Sequence, residues 1–323
     1  MEKVLIIGPF NDAMKNALKG SLADKFELKF ITGRDEYDAL ADADYVILRT
    51  LNLTGEDMKL MDKVKLIQRW GAGYDTVDIE AAGEKGIPVA VCFGVNSTPV
   101  AEMTLAHILA AYRNLVPLTA GIKDGRWERE DYAKCSHTIN GKIVGIIGIG
   151  SIGRKVAGLC RAFGARIFYY DAYPLTKETE EELRVTYCPL DELWGKCDII
   201  SLHVPLLEST EKMVNCKTIA KMKDGALIVN TAREELVDLP ALKEALISGK
   251  ICAAGIDAIE NTTVSDKLFD GVDNIVLTPH LGGNTADDVI QMANRCGQQI
   301  TVVSKGGSLA APHLVNSKYL KNK

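Results

Sequence analysis

Three glycines in one short loop carry the most specific chemistry in this 323-residue chain. Gly148, Gly150 and Gly153 form a GxGxxG pattern between an apolar stretch typical of a buried strand and a stretch typical of a helix. In such a unit the glycines allow a tight turn, a close approach of backbone to a pyrophosphate, and close helix packing. A second predicted strand ends at Asp171, where a carboxylate can bind a ribose 2′-hydroxyl. This segment is therefore predicted to bind a dinucleotide.

Asp171 also indicates which dinucleotide binds. Its negative charge would repel a 2′-phosphate, and residues 172–174 (Ala-Tyr-Pro) include no arginine that could bind one. The sequence therefore predicts NAD in preference to NADP.

Three polar residues follow predicted strands, at the positions where open α/β sheets bind ligands. Arg233 could bind a carboxylate through two parallel hydrogen bonds, although an ordinary surface arginine is an equally good interpretation. His280 can gain or lose a proton near neutral pH, although a lone histidine is usually structural. Asp257 ends another strand, where an acidic residue often caps a loop.

Strand and helix patterns alternate along the whole chain, which predicts parallel sheets. We predict two doubly wound parallel-sheet α/β domains with a cleft between them, one a flavodoxin-like substrate domain and the other a Rossmann NAD domain. The first comprises residues 1–97 plus 288–323, and the second residues 98–287. The first strand ends in Gly8-Pro9-Phe10 without further glycines, so the first domain is not expected to bind a dinucleotide.

The helix signals include a cap at Thr54, with Asp57 at the third helical position. Residues 123–140 are predicted to form a polar connection. The main predicted helices are 11–23, 54–61, a long helix that starts near Thr98-Pro99 and continues to 115, 154–163 and 285–304. The predicted strands are 3–7, 26–31, 45–49, 65–70, 88–91, 142–147, 165–170, 198–203, 226–230, 251–256 and 274–277.

The composition, with 47% hydrophobic and 25% charged residues, is typical of a globular protein. A net charge of −5 without a basic cluster argues against nucleic-acid and membrane-surface partners. We expect a cytoplasmic protein, because no apolar stretch approaches the roughly 18 residues that span a bilayer and no signal-peptide pattern begins the chain. The eight cysteines lack CxxC and zinc-ligand spacing, which favours buried free thiols and no metal site.

Motifs along nearly the full length resemble those of the D-isomer-specific 2-hydroxyacid dehydrogenase family. They follow one another in the family's order and spacing. The matching segments are 71–75 (GAGYD), 96–102 (NSTPVAE), 141–154 (GKIVGIIGIGSIGR), 203–206 (HVPL), 230–233 (NTAR) and 278–283 (TPHLGG).

The resemblance implies an NAD-dependent enzyme that interconverts a 2-keto acid and an (R)-2-hydroxy acid, and a homodimer that involves the helix from Val100. It implies that His280 is the general acid for keto reduction and that Arg233 binds the substrate carboxylate. Further substrate contacts are expected from Arg49, Ala72 and Gly73. The expected cofactor contacts are Thr104, Gly148, Gly150, Ser151, Ile152, Gly153, Asp171, His203, Pro205, Thr231, Ala232, Asp257 and Gly283.

The family's third catalytic residue, a glutamate, is missing from its usual place, where this chain has Thr262. We hypothesise that Glu260 replaces it through a shifted loop, because a carboxylate beside a histidine favours the protonated imidazole. Glu234, directly after Arg233, is an alternative source of the carboxylate. A pair of His280 and Arg233 acting alone is the other alternative.

The sequence does not select one 2-keto acid among those related to lactate, glyoxylate, hydroxypyruvate, phosphoglycerate and larger branched or aromatic acids. Arg49 would suit a substrate with a second anionic group. Some relatives act as NAD-sensing corepressors or scaffolds, so a catalytically weakened binding protein is the alternative function. The presence of both Arg233 and His280 favours the enzyme.

Overall fold

The structure, a computed structural model, describes residues 1–259 and 261–320. The chain divides into two compact units. The first comprises Met1–Asn96 and Asn284–Lys323, and the second comprises Ser97–Gly283. The predicted junctions, after residues 97 and 287, lie one and four residues beyond these divisions.

The first unit is built on a sheet of five parallel strands in the order β2-β1-β3-β4-β5. This is the flavodoxin-like doubly wound order, in which ligands bind where the strand order reverses, here at the carboxyl ends of β1 and β3. The strands are β1 (Glu2–Ile7), β2 (Phe26–Ile31), β3 (Tyr45–Leu48), β4 (Leu66–Arg69) and β5 (Val89–Ala90).

The second unit is built on seven parallel strands in the order β12-β11-β10-β9-β6-β7-β8. In chain order its first three strands, β6, β7 and β8, lie next to one another, and β9 to β12 continue the sheet on the other side of β6. This is the strand order of a Rossmann sheet. The prediction of two doubly wound parallel sheets is confirmed. The strands are β6 (Ile143–Ile147), β7 (Arg166–Tyr170), β8 (Thr186–Tyr187), β9 (Ile199–Leu202), β10 (Ala226–Asn230), β11 (Ile251–Ile256) and β12 (Ile275–Leu277).

Helices pack on these sheets and bury apolar faces in two core clusters for each unit. In the first unit the helices are α1 (Asp12–Leu22), α2 (Gly55–Met58) and α3 (Ile79–Glu84), with a 3₁₀ helix at Arg34–Asp42. In the second they are α4 (Ser97–Tyr112), α5 (Leu115–Lys123), α6 (Arg129–Ala133), α7 (Ser151–Ala162), α8 (Lys177–Leu183), α9 (Leu190–Lys196), α10 (Cys216–Lys221), α11 (Leu239–Ile247) and α12 (Asn261–Ser265), with a 3₁₀ helix at Glu234–Leu236.

The last helix, α13 (Asp288–Ser304), belongs to the first unit. It packs against α1 and against β4. Its residues Met292, Cys296 and Ile300 are buried in the same core cluster as Leu18 of α1. A segment near the end of the chain thus completes a core that its first residues begin.

Several predicted helix boundaries were wrong by about one turn. The long helix predicted from near Thr98-Pro99 to 115 is α4, which starts at Ser97 and ends at Tyr112. Pro99 lies in its first turn, where a missing N–H costs nothing. Asn114 ends this stretch because its φ of 51° is left-handed. The predicted start at 154 is also wrong, since α7 begins at Ser151, and the final helix begins at Asp288 and not at 285. The polar connection at 123–140 contains the short helix α6.

The eight cysteines are free thiols, and five of them are buried. Burial raises the pKa of Cys160 and of Cys197 to about 12, so these two are unreactive thiols near neutral pH. The expectation of buried free thiols thus holds for most of the cysteines, and Cys135 and Cys216 are exposed. No helix within the described residues is both long and apolar enough to span a membrane.

The predicted cap of α2 is present and extends into a small buried network. The carboxylate of Asp57 accepts hydrogen bonds from the backbone N and the hydroxyl of Thr54, both at 2.8 Å. Arg34 donates to the same carboxylate at 2.8 Å, and Asp57 is only 8% exposed. Burial alone would raise the pKa of Asp57, but the hydrogen bonds from Thr54 and Arg34 outweigh burial and lower it.

We expect Asp57→Asn to lower the free energy of unfolding of the first unit by about 1–3 kcal/mol at pH 7, because a charged acceptor of several hydrogen bonds is lost. The folded-state pKa lies below the unfolded value of about 3.9. The stabilisation is therefore complete above that value and is lost as the pH falls through the folded-state pKa. Urea denaturation of both proteins at pH 7 and at about pH 3 measures the difference.

Glu56→Gln on the same helix is the matched control, since its exposed ion pair with Lys59 contributes little. An Asp57→Asn variant destabilised equally at both pH values would contradict this account of the network.

Candidate active site

The glycine-rich loop after β6 has the geometry that its sequence predicts. Gly148 has a left-handed φ of 96°, and a Cβ there would lie 2.6 Å from the carbonyl oxygen of His203. A Cβ on Gly153 would lie 2.1 Å from the carbonyl oxygen of Gly148, so the helix can approach the strand only with glycine. At Gly150 a Cβ would meet no atom within 4 Å. The loop thus leaves open space in front of α7.

The start of α7 is suited to an anion. Gly150 occupies the N-cap position, and a glycine has no side chain to cover the first N–H groups of the helix. These groups, with the positive end of the helix dipole behind them, favour a phosphate. Ser151 and Ile152 form the first turn of this helix. The loop and helix start therefore fit the pyrophosphate of a dinucleotide.

Asp171 follows β7 and is tied to the glycine loop. One carboxylate oxygen accepts a hydrogen bond from the backbone N of Ile149 at 2.9 Å, and the other accepts one from Tyr173 N at 2.9 Å. Each oxygen keeps a further lone pair, so the carboxylate can still accept a ribose hydroxyl.

The loop after β9 packs against the glycine loop, because the carbonyl oxygen of His203 occupies the space where a side chain on Gly148 would begin. The imidazole Nε2 of His203 lies 2.8 Å from the hydroxyl of Ser201. Burial lowers the pKa of His203 to about 3, so this imidazole is neutral near pH 7. The carbonyl oxygen of Pro205 accepts a hydrogen bond from the Thr210 hydroxyl at 2.7 Å, which shapes the rest of the loop.

The loop after β10 carries Arg233 and is held by a fully buried amide. Asn230 donates from Nδ2 to the carbonyl oxygen of Arg233 at 2.6 Å and accepts from the backbone N of Ala232 at 3.0 Å. The Arg233 guanidinium donates to the Ala232 carbonyl at 2.7 Å. The hydroxyl of Thr231 lies 2.9 Å from that of Thr104, a residue of α4 with no exposed surface.

The loop after β12 carries His280, an exposed residue with a left-handed φ of 53°. Non-glycine residues rarely adopt this conformation, and it is often found at functional sites. The His280 backbone N donates to the carbonyl oxygen of Asp257 at 2.6 Å. The Asp257 carboxylate accepts from the backbone N of Leu281 at 3.0 Å and of Gly282 at 2.8 Å, and from the Thr278 hydroxyl at 2.5 Å. Asp257 is 1% exposed, so a buried carboxylate holds this loop by hydrogen bonds.

Gly283 ends the second unit, directly after this loop. Among the expected cofactor contacts, Thr104 and Asp257 thus lie in the core, where each holds a neighbouring loop. The glycine loop, the His203 loop and Asp171 are brought together around the start of α7.

Three residues bear on the carboxylate that is expected near His280, and the structure describes two of them. Glu260 lies outside the described residues. Thr262 lies in the short helix α12. Glu234 starts the 3₁₀ helix after Arg233, and its Oε1 accepts a hydrogen bond from the Thr263 hydroxyl at 2.7 Å.

In the first unit the residues expected at the substrate follow β3 and β4. Arg49 is half-buried and donates to the carbonyl oxygen of Pro9, and burial lowers its pKa. The loop of Ala72 and Gly73 is held by Arg69, which donates to the Gly73 carbonyl at 3.0 Å and to the Leu48 carbonyl at 3.1 Å.

Two residues of these networks, Arg69 and His107, were not predicted as site residues from the sequence. Arg69 was treated only as part of a strand, although a buried arginine at a strand end is a signal for a structural or binding role. His107 is not among the predicted site residues. Its Nε2 lies 2.9 Å from the hydroxyl of Thr278, and its spacing of three residues from Thr104 was the available signal. Within residues 1–259 and 261–320, no three His, Cys, Asp or Glu side chains are grouped to hold a metal ion.

A family model described as the NAD-binding domain of D-isomer specific 2-hydroxyacid dehydrogenases matches residues 105–282. The match spans more than half of the chain and includes the glycine loop, Arg233 and His280.

Individual proteins are similar over most of the chain. A hydroxypyruvate reductase from Thermotoga maritima is 39% identical over 285 residues, which cover 86% of this chain and 91% of that protein. A D-3-phosphoglycerate dehydrogenase from Methanocaldococcus jannaschii is 37% identical over 95% of this chain but only 58% of its own length. The structure of D-lactate dehydrogenase from Aquifex aeolicus, complexed with NAD and lactic acid, is 28% identical, with a TM-score of 0.83 over 94% of this chain and 96% of that one.

The family match, the relatives and the two parallel sheets agree with the motifs of the sequence. The glycine loop and the open start of α7 fit an NAD cofactor. The chain therefore belongs to the D-isomer-specific 2-hydroxyacid dehydrogenase family and contains its NAD-binding domain.

Proposed function

We propose that the chain is an NAD-dependent oxidoreductase that reversibly reduces a 2-keto acid to the (R)-2-hydroxy acid. One observation supports this most directly. Arg233 and His280 follow β10 and β12, and the glycine loop follows β6, all parallel strands of one sheet. A cation that can bind a carboxylate, a proton donor and a dinucleotide site therefore lie along the edge formed by the carboxyl ends of these strands.

In this mechanism Arg233 binds the substrate carboxylate in a bidentate pair and polarises the keto oxygen. Bound NADH supplies the hydride. His280 donates a proton to the oxygen as its negative charge forms, so the carbonyl gains one hydride and one proton. In the reverse direction the neutral imidazole of His280 accepts that proton.

The other histidines of the second unit are poor candidates for the proton donor. Burial lowers the pKa of His107, of His203 and of His137, so each is neutral near pH 7. His280 is exposed and follows a strand end, where a substrate can reach it.

We infer a preference for NAD over NADP from Asp171, whose carboxylate follows the second strand of the dinucleotide unit. Arg49 favours a substrate with a second anionic group, since a half-buried cation gains from a nearby anion. That Arg49, Ala72 and Gly73 contact the substrate stays a prediction.

We also propose a homodimer. Four large apolar side chains are exposed on the segment after α4, and Trp127 is 81% exposed. Exposed apolar patches often mark interfaces between proteins. The others are Leu115, Val116 and Ile122.

The first test follows NADH absorbance with a panel of 2-keto acids, beginning with pyruvate, hydroxypyruvate and phosphohydroxypyruvate. Wild-type protein is expected to oxidise NADH with at least one of them. His280→Gln should lower kcat by about 100-fold or more, because the proton donor is lost, and leave NADH binding unchanged. If the wild type binds NADH but turns over none of the 2-keto acids, the proposed enzymatic activity is contradicted. The alternative function, an NAD-sensing binding protein, would then be supported.

The second test asks which carboxylate assists His280. We expect Glu260→Gln to lower turnover and, in the direction of hydroxy-acid oxidation, to shift the acidic limb of the pH–rate profile to lower pH, because the protonated imidazole loses a neighbouring anion. Glu234→Gln is the matched comparison and should leave that limb in place. A shift in Glu234→Gln alone would assign the role to Glu234, and an unchanged limb in both would mean that His280 and Arg233 act without a carboxylate.

A further inference from the structure

Helix α4 makes two side-chain contacts with the loops that carry Arg233 and His280. Thr104 and His107 are three residues apart and therefore lie on one face of the helix. Thr104 contacts the Thr231 hydroxyl and His107 contacts the Thr278 hydroxyl, both at 2.9 Å. Each contacted threonine comes two residues before the residue with the proposed chemical role.

The contact of His107 has a defined direction. The Thr278 hydroxyl donates its only proton to the Asp257 carboxylate at 2.5 Å, so it must accept from His107. The imidazole is then the neutral tautomer with a proton on Nε2. Its Nδ1 is buried without a hydrogen-bond partner among the described residues, and a second proton there would be an unsatisfied buried donor. Burial also lowers the pKa of His107.

The chain of hydrogen bonds ends on the backbone of the His280 loop. The Asp257 carboxylate accepts a hydrogen bond from the Thr278 hydroxyl and accepts from the amides of Leu281 and Gly282. Its own carbonyl oxygen accepts from the amide of His280. The left-handed backbone of His280 is thus fixed on both sides by groups that bond to Asp257.

Space for the imidazole depends on a glycine in β11. A Cβ on Gly255 would lie 2.7 Å from Cβ of His107 and 3.0 Å from its Nδ1. His107 is itself only 1% exposed. The imidazole of His107 is therefore buried against a strand position that has no side chain.

We propose that His107 is a positioning residue for the proposed dehydrogenase reaction: through Thr278 and Asp257 it fixes the backbone that presents His280. This inference rests on the proposed function for its effect on turnover. Its structural part, the link between His107 and the His280 loop, stands independently of any reaction.

The kinetic test compares His107→Met with His107→Gln. Methionine fills the space without a donor, whereas the glutamine amide can still donate to Thr278. We expect kcat to fall about tenfold or more in His107→Met, because small misplacements of reacting groups have effects of that size. KM should change less than about twofold, since only an interaction in the transition state is weakened. His107→Gln should recover most of kcat, and His137→Met, at a half-buried histidine outside this network, should behave like wild type.

A measurement without substrate separates this inference from the proposed function. Ring-¹⁵N-labelled histidine reports the tautomer and environment of the five imidazoles by NMR. In the wild type His107 should be the neutral Nε2–H tautomer, and the His280 resonances should move in His107→Met and in Thr278→Val but not in His137→Met. A wild type that shows this pattern but reduces no 2-keto acid would contradict the proposed function and leave the positioning link intact.

Two results would overturn the inference. One is an unchanged kcat and unchanged His280 resonances in His107→Met. The other is a His107→Gln variant as impaired as His107→Met. If His107→Met does not fold, Thr278→Ser and Thr278→Val form a second pair, because only serine keeps the hydroxyl, and equal kcat and equal His280 resonances in that pair would also overturn it.

Discussion

The buried carboxylate of Asp257 is the interaction on which the chemistry-bearing edge of the second unit depends. Asp257 directly follows β11, the strand between β10 and β12, and its carboxylate accepts three hydrogen bonds from the segment around His280. Loss of this acceptor would leave partly buried donors unsatisfied, at a cost of about 1–3 kcal/mol each. The residues on both sides of His280 would then lose the bonds that fix its left-handed backbone. The position of a surface imidazole is thus set by a group with almost no exposed surface.

Helix α4 contacts the other segments at the carboxyl ends of these strands. It packs against α7, whose start faces the glycine loop, and against β10, β11 and β12. Its Thr104 and His107 bond to the segments that lead to Arg233 and His280. One helix therefore supports the NAD site, the proposed carboxylate ligand and the proposed proton donor, so their relative positions are not set by flexible loops alone.

Much of this could be predicted from the sequence, because it rests on local patterns. Apolar strands and the GxGxxG spacing predicted both sheets and the NAD site, and the positions of Arg233 and His280 after strands predicted their edge. The hydrogen bonds of His107 could not be predicted in this way, since they join residues 171 positions apart. Two helix starts also differed from the prediction, at Ser151 and Asp288, because caps and tertiary packing decide helix ends more than periodicity does. The residue that replaces the missing family glutamate could not be predicted either, because both Glu260 and Glu234 offer a carboxylate close in sequence to the expected place.

A crystal structure with NADH and oxamate, an unreactive analogue of a 2-keto acid, tests the central claim most directly. The Arg233 guanidinium is expected to bind the oxamate carboxylate, and a ring nitrogen of His280 is expected about 2.6–3.2 Å from the oxygen that stands for the keto group. The Asp257 carboxylate should keep its bonds to the loop of His280. A complex in which the His280 imidazole points away from that oxygen, with another group as its hydrogen-bond donor, would contradict the account.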